Sequence, residues 1–185
     1  KYTDSTFPEK LFLGRIKLAH VYSLLYYDQN NSTQAILHKI KYGEGKGLGR
    51  SMGKLMGQKL GEQKWLNDID SIVPIPLHSK KAFKRGYNQS LLIAEGLSEQ
   101  TEIPIVEGLS RKRHHESQTK KSKDERWENV KSIFTSDEQS FKGKKHILIV
   151  DDVLTTGSTL ESAAHTILEQ YPNLKISLAT IAIAK

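Results

Sequence analysis

The chain of 185 residues contains 37% hydrophobic and 26% charged residues, the composition of an ordinary soluble globular protein that buries roughly two-thirds of its unfolded surface. No run of about 18 apolar residues is present, which excludes membrane insertion, and the absence of cysteine excludes disulfides, thiol catalysis and cysteine-bound zinc within these residues. The net charge of +7 indicates a polyanionic ligand, either nucleic acid or a phosphorylated small molecule, and the lack of cysteine suits a reducing, cytoplasmic compartment.

The first third of the chain predicts mainly helices. One helix is expected over residues 31–42, where apolar residues recur on one face before Gly43, and a second over residues 46–66. Along the second helix glycine recurs at every fourth position, from Gly45 to Gly61. A glycine inside a helix costs about 1 kcal/mol relative to alanine, so the row predicts close packing of this helix against a neighbouring element.

The remainder of the chain predicts strands that alternate with helices. Strands are expected at 71–75, 103–106, 146–150 and 176–183, helices after the basic turn 77–89 and over 158–170, and a long loop over 110–128. The runs ILIV and ISLATIAIA are almost continuously apolar, which is typical of strands buried on both faces of a parallel sheet. The predicted fold class is α/β: a core over residues 69–185, on which a small, mainly helical N-terminal portion, residues 1–68, packs.

The stretch ILIVDDVLTTGSTL, residues 147–160, predicts a ligand site. Ligands of open parallel sheets bind beyond the carboxyl ends of the strands, and Asp151 and Asp152 follow the predicted strand 146–150. The small residues after them can converge backbone N–H groups and hydroxyls on an anion at the start of the next helix; these residues are Thr155, Thr156, Gly157, Ser158 and Thr159. A phosphate in this turn and a diol on the carboxylates together describe a ribose 5-phosphate.

Other interpretations of the motif fit less well. An acid pocket of the response-regulator kind normally opens its domain, whereas this pair lies near the end of the chain. A metal pair would call for a third carboxylate or histidine at a fixed spacing, and none follows. A purely structural turn remains as the alternative. A Walker loop is excluded at residues 44–51, which lack the first glycine and carry Arg50 in place of the lysine.

The same stretch resembles the phosphoribosyl pyrophosphate (PRPP) signature of type I phosphoribosyltransferases. VPIPLHSKKAFKRGYNQS (73–90), IKYG (40–43) and the basic stretch 109–130 resemble the ComF/GntX branch of that family, so the resemblance covers about residues 7–185. Members of this branch usually carry a cysteine-rich zinc-binding segment at the N-terminus. This sequence has no cysteine, so the segment was either trimmed or lost.

The resemblance implies a type I phosphoribosyltransferase fold and a role for each motif. Asp151 and Asp152 would hold the ribose hydroxyls, and the turn from Thr155 to Thr159 would hold the 5-phosphate. The pyrophosphate would bind at Pro76, Leu77, His78, Ser79 and Arg85, with Mg²⁺ carried by PRPP and not bound directly by the protein. A solvated basic face is the alternative for the cations of that turn.

The loop over 110–128 would close over PRPP and complete catalysis. From Arg111 to Arg126 it contains seven basic and three acidic residues, a net charge of +4. Such a charge can neutralise a departing pyrophosphate in a closed site. The resemblance favours Arg111, Gln118 and Arg126 as the catalytic residues of this loop.

Two functions follow for the whole chain. The first is an enzyme that transfers ribose 5-phosphate from PRPP to an unidentified nitrogen acceptor and releases pyrophosphate. The alternative is a non-catalytic protein of DNA uptake or nucleic-acid handling, with single-stranded DNA or a competence helicase as its partner. Either protein can be an oligomer, and no motif in the sequence identifies an acceptor pocket.

Overall fold

The structure is a computed structural model that describes residues 6–27, 32–42, 45–77, 85–111 and 133–184. The helices are α1 (Thr6–Lys10), α2 (Ser32–Lys41), α3 (Lys46–Leu60), a 3₁₀ helix (Lys64–Asp68), α4 (Gln89–Thr101) and α5 (Ser158–Gln170). The strands are β1 (Val21–Tyr27), β2 (Ser71–Pro74), β3 (Leu109–Arg111), β4 (Phe134–Ser136), β5 (His146–Leu154) and β6 (Lys175–Ala184). No helix among these residues is long and apolar enough to cross a membrane.

Four parallel strands form the main sheet in the order β1-β6-β5-β2. The central strands β5 and β6 are buried on both faces, because Ile147 and Ile149 pack into one apolar cluster while Leu148 and Val150 pack into the other. This arrangement accounts for the unbroken apolar runs and confirms the predicted α/β class. Strands β3 and β4 form a separate antiparallel pair.

The sequence analysis missed strand β1 of the main sheet and both strands of the small sheet, and β3 takes up the first two residues of the predicted loop 110–128. Strand β1 is the most important of these for the core. It pairs in parallel with β6 along the edge of the sheet, and the hydroxyls of Ser23 and Thr180 lie 2.7 Å apart between the two strands. Residues 1–68 therefore contribute a strand to the core sheet besides their helices. Two boundaries also differ: α3 ends at Leu60, and residues 103–106 make only one isolated bridge, at Ile105, to β2.

The glycine row packs α3 against α4, which confirms the predicted close approach. A Cβ added at Gly53 would lie 2.1 Å from the carbonyl oxygen of Ile93, and one at Gly96 would lie 2.0 Å from that of Arg50. The two helices thus meet through facing glycines. This contact fixes α4, whose first turn carries side chains into the site described next.

Candidate functional site

A cavity of about 220 Å³ opens at the carboxyl edge of the sheet. It brings together eight residues that the sequence predicted for the site: Pro76, Leu77, Arg85, Arg111, Asp151, Asp152, Thr155 and Thr159. Lys41, Gln89 and Ser90 also line it and were not predicted. Since residues of α2, α4, β3 and β5 meet here, the cavity depends on the tertiary fold and not on the motif alone.

The acidic pair lies within β5 and not after it, because the strand extends to Leu154, four residues beyond its predicted end. Asp151 accepts hydrogen bonds from the Ser90 hydroxyl (2.7 Å) and from the backbone N–H of Asp152 (2.8 Å). Burial and the charge of Asp152 raise the pKa of Asp151 to about 7, against the smaller opposing effect of these hydrogen bonds. The Asp151 carboxyl group therefore loses its proton near neutral pH.

Asp152 has a different set of partners. Its buried carboxylate lies 3.2 Å from the ammonium of Lys41 and accepts a hydrogen bond from Gln89 Nε2 at 3.3 Å. The Oε1 atom of Gln89 is buried and has no hydrogen-bond partner among the described residues. A buried acceptor without a donor is costly, and a ligand hydroxyl is a donor that would satisfy it.

The phosphate turn lies between β5 and α5. Gly157 caps α5 with φ +78°, and a Cβ at this position would lie 2.8 Å from the ring of Phe12, so glycine is required for two reasons. The side chain that lies against this glycine is that of Phe12. The hydroxyls of Thr156 and Ser158, 3.0 Å apart, are exposed at the start of the helix.

Arg15 supports this turn from the N-terminal part of the chain. Its Nη1 donates to the carbonyl of Thr156 (2.9 Å) and to that of Leu11 (3.0 Å), while its guanidinium pairs with Glu161 of α5. Sequence reasoning missed Arg15 because 141 positions separate it from Thr156 and no local pattern connects them.

The segment RGYNQ, residues 85–89, has a structural part and a site-lining part. Asn88 caps α4 by accepting the Ser90 N–H (3.1 Å) and donates to the carbonyl of Ile75 (3.0 Å). The guanidinium of Arg85 lies 5.0 Å from the ring centroid of Tyr42, within cation–π range. The segment thereby joins α2 to α4 beside the acidic pair.

The remaining predicted residues divide between this cavity and the undescribed segments. Arg111 lies in β3 with its guanidinium 5.4 Å from the ring centroid of Phe134, and it reaches the cavity. His78 and Ser79 of the predicted pyrophosphate turn lie outside the described residues, as do Gln118 and Arg126 of the predicted loop. Their assignments stay predictions.

A second cavity of about 320 Å³ adjoins the first. Tyr27, His38 and Tyr42 provide its rings. Lys41, Val153 and Thr155 line both cavities and form the wall between them. The sequence analysis missed this cavity because its rings come from β1, which was not predicted, and from α2, to which no site role was given.

Comparison with known proteins gives this arrangement a family. The family model described as the phosphoribosyl transferase domain matches residues 88–185, just over half of the chain. This span holds α4, the acidic pair and the phosphate turn. The chain therefore belongs to the phosphoribosyl transferase family.

Three similar proteins illustrate that placement. Competence protein ComFC of Bacillus subtilis is 36% identical over 60% of this chain and 43% of its own length. DNA utilization protein YhgH of Escherichia coli K12 is 37% identical over 54% of this chain and 43% of its own length. The matches thus span less than half of these relatives. The glutamine PRPP amidotransferase of B. subtilis has the same fold (TM-score 0.50, 18% identity, 78% of this chain and 30% of that chain).

Proposed function

We propose that the protein is a phosphoribosyltransferase, which binds Mg-PRPP at the carboxyl edge of the sheet and transfers ribose 5-phosphate to a nitrogen acceptor. The observation that carries this proposal is the convergence of three chemistries in one cavity: the carboxylates of Asp151 and Asp152, the hydroxyl residues Thr155 and Thr159 at the two ends of the turn, and the guanidinium groups of Arg85 and Arg111. A diol, a phosphate and a pyrophosphate on one molecule would match them in that order.

Each group has a defined task in this proposal. A hydrogen bond from a sugar hydroxyl to a charged carboxylate contributes about 1.5–3 kcal/mol, and Gln89 Oε1 offers a further acceptor nearby. The N–H groups at the start of α5 and the hydroxyls before it would hold the 5-phosphate. Arg85 and Arg111 would stabilise the negative charge that develops on pyrophosphate as its bond to C1′ breaks.

We expect Mg²⁺ to arrive with PRPP and to be held by pyrophosphate oxygens and water. The metal would neutralise part of the leaving-group charge. The cavity suits this ligand, because its described cations, Lys41, Arg85 and Arg111, can compensate the charge that a metal-bound pyrophosphate retains.

The second cavity is the proposed acceptor site. An acceptor has to approach C1′ from the side opposite the departing pyrophosphate, in a bound geometry close to that of attack. This cavity shares Lys41, Val153 and Thr155 with the ribose cavity, whereas Arg85 and Arg111 line only the latter.

Calorimetric titration with Mg-PRPP tests the ligand. The wild type should release heat, the double variant Asp151→Asn/Asp152→Asn should not, and Asp137→Asn should match the wild type because Asp137 lies outside the cavity. No heat from the wild type would overturn the assignment. A pyrophosphate-release assay over ammonia and a panel of nitrogen heterocycles then tests transfer.

The names of the relatives favour a second candidate, a non-catalytic protein of DNA uptake, with single-stranded DNA or a competence helicase as its partner. The net charge of +7 suits a polyanion. This candidate predicts tight binding to single-stranded DNA that weakens steeply with salt, and Mg-PRPP binding without pyrophosphate release. Removal of residues 112–125 would show whether the basic loop is the source of DNA binding.

A further inference from the structure

Two short segments meet beside the acidic pair, residues 40–42 and residues 85–90. The Tyr87 hydroxyl donates to the carbonyl of Ile40 at 2.7 Å, in the last turn of α2, where helix carbonyls lack partners within the helix. The guanidinium of Arg85 lies over the ring of Tyr42, which follows Ile40 by two positions. These contacts hold the end of α2, and with it Lys41, against the mouth of the cavity.

The ion pair of Lys41 and Asp152 is more buried than the other described lysine–carboxylate pairs. Its two side chains are 24% and 6% exposed, compared with 51% and 47% for Lys54 and Glu99. An exposed pair adds little to stability, whereas a buried carboxylate that loses its counter-ion is left with an uncompensated charge. Asp152 therefore depends on Lys41 in a way that Glu99 does not depend on Lys54.

The charge of Lys41 also acts on the neighbouring carboxyl group, that of Asp151. The charge of Lys41 lowers the pKa of Asp151, against the larger opposite effects of burial and of Asp152. The described cations that line the cavity are Lys41 from α2, Arg85 from the segment before α4, and Arg111 from β3. Ser90 and Gln89 contribute neutral hydrogen bonds. Of these cations, Lys41 makes an ion pair with Asp152.

We propose that Lys41 is a positioning residue of the ribose site: its ammonium group pairs with the Asp152 carboxylate and orients it, so that the acidic pair meets a sugar diol with a fixed geometry. This role rests on the proposed function, because the diol belongs to PRPP. It also makes α2 part of the ribose site, although α2 lies outside the span that the family model matches.

The first arm of the test uses the ligand-free protein. NMR titration of the side-chain carboxyl carbons follows Asp151 and Asp152 in the wild type, Lys41→Met, Lys41→Arg and the matched control Lys54→Met. Lys41→Met should move the Asp151 midpoint to higher pH, Lys41→Arg should return it towards the wild-type value, and Lys54→Met should leave it unchanged. Unchanged carboxyl titrations in Lys41→Met overturn the proposal. Lys41→Gln replaces Lys41→Met if thermal unfolding shows that the methionine variant is not folded.

The second arm measures Mg-PRPP affinity as a function of pH in the same variants. Lys41→Met should bind at least tenfold more weakly at pH 7. Its affinity should recover as pH rises, because higher pH restores the negative charge of the Asp151 carboxylate, which the Lys41 ammonium group otherwise favours. A loss by the same factor at every pH would indicate a merely structural role and overturn the proposal. If the wild type binds no Mg-PRPP, the proposed function fails, while the ligand-free titration still decides whether Lys41 controls the acidic pair.

Discussion

The carboxylates that lie at the two ends of strand β5 have opposite environments. At the amino end, Asp70 accepts backbone N–H bonds from Lys145 (2.5 Å) and His146 (2.8 Å), and these bonds lower its pKa. The His146 ring in turn lies 2.8 Å from the Ser177 hydroxyl. At this end the protein supplies the partners of Asp70 and His146, although the buried Ser71 hydroxyl on the neighbouring strand β2 has none among the described residues.

At the carboxyl end the same strand carries Asp151, whose pKa is raised to about 7, and Asp152, which bonds to Gln89. The buried Oε1 of Gln89 has no hydrogen-bond partner in the described part of the chain. Like charges and an unsatisfied acceptor destabilise a folded protein unless a ligand compensates them. This difference separates the polar groups that stabilise the fold from those that a ligand can use. Substitution at the carboxyl end should raise stability and weaken binding, whereas substitution at the amino end should lower stability and leave binding unchanged.

The largest expected effect is on stability at the carboxyl end. Because the pKa of Asp151 is raised on folding, its stabilising contribution is present below the unfolded value of 3.8 and is lost as pH rises towards 7. Asp151→Asn should therefore increase the free energy of unfolding at pH 8 by up to about 4 kcal/mol, since one pKa unit corresponds to about 1.4 kcal/mol. Denaturant unfolding at pH 8 and pH 5 measures this gain, which should be smaller at pH 5.

The same variant should lose Mg-PRPP affinity, because Asn replaces a charged acceptor by a neutral one. Stability and binding thus move in opposite directions. A loss of both stability and Mg-PRPP affinity in Asp151→Asn would contradict the view that Asp151 serves a ligand. An equal gain in the free energy of unfolding at pH 5 and pH 8 would contradict it as well.

A smaller effect of opposite sign is expected at the amino end. Asp70→Ala removes the acceptor of two backbone N–H groups and should lower the free energy of unfolding by roughly 2 kcal/mol at pH 7. Since the pKa of Asp70 is lowered on folding, its contribution is present above 3.8 and lost as pH falls through the folded value. Denaturant unfolding between pH 2 and pH 7 measures the loss in the free energy of unfolding and its dependence on pH. Mg-PRPP affinity should equal that of the wild type, and an altered affinity would argue against a purely structural role.

The predictable parts of this molecule are contiguous in the sequence. The buried strand, the acidic pair and the hydroxyl turn occupy residues 147–160, so one local pattern carries strand, charge and turn chemistry together. The glycine row is likewise periodic, and the packing of α3 on α4 through Gly53 followed from it.

The parts that could not be predicted depend on long-range contacts. Strand β1 has no strict alternation of apolar and polar residues, and its identity as a strand comes from pairing with β6, which lies more than 150 residues later. Lys41 belongs to the segment IKYG that resembles the family, but only the fold shows that the end of α2 lies against Asp152. Local propensity contains no information about such pairs.

The smallest expected effect concerns the support that α1 and its following turn give to the phosphate turn. Arg15→Gln removes the guanidinium that bonds to the Thr156 carbonyl and pairs with Glu161. Because Arg15 is exposed and does not line the ribose cavity, the loss should be that of about one net hydrogen bond, about 1 kcal/mol, or roughly fivefold in the Kd of ribose 5-phosphate.

Calorimetry with ribose 5-phosphate measures this Kd, and Arg50→Gln is the matched control, because Arg50 makes a comparable ion pair with Glu95 of α4 and neither residue lines the ribose cavity. Equal affinities of Arg15→Gln and the wild type would mean that the turn keeps its geometry without Arg15. Weakened binding in Arg15→Gln but not in Arg50→Gln would show that the carboxyl end of β5, unlike its amino end, relies on the N-terminal segment to hold its ligand groups in place.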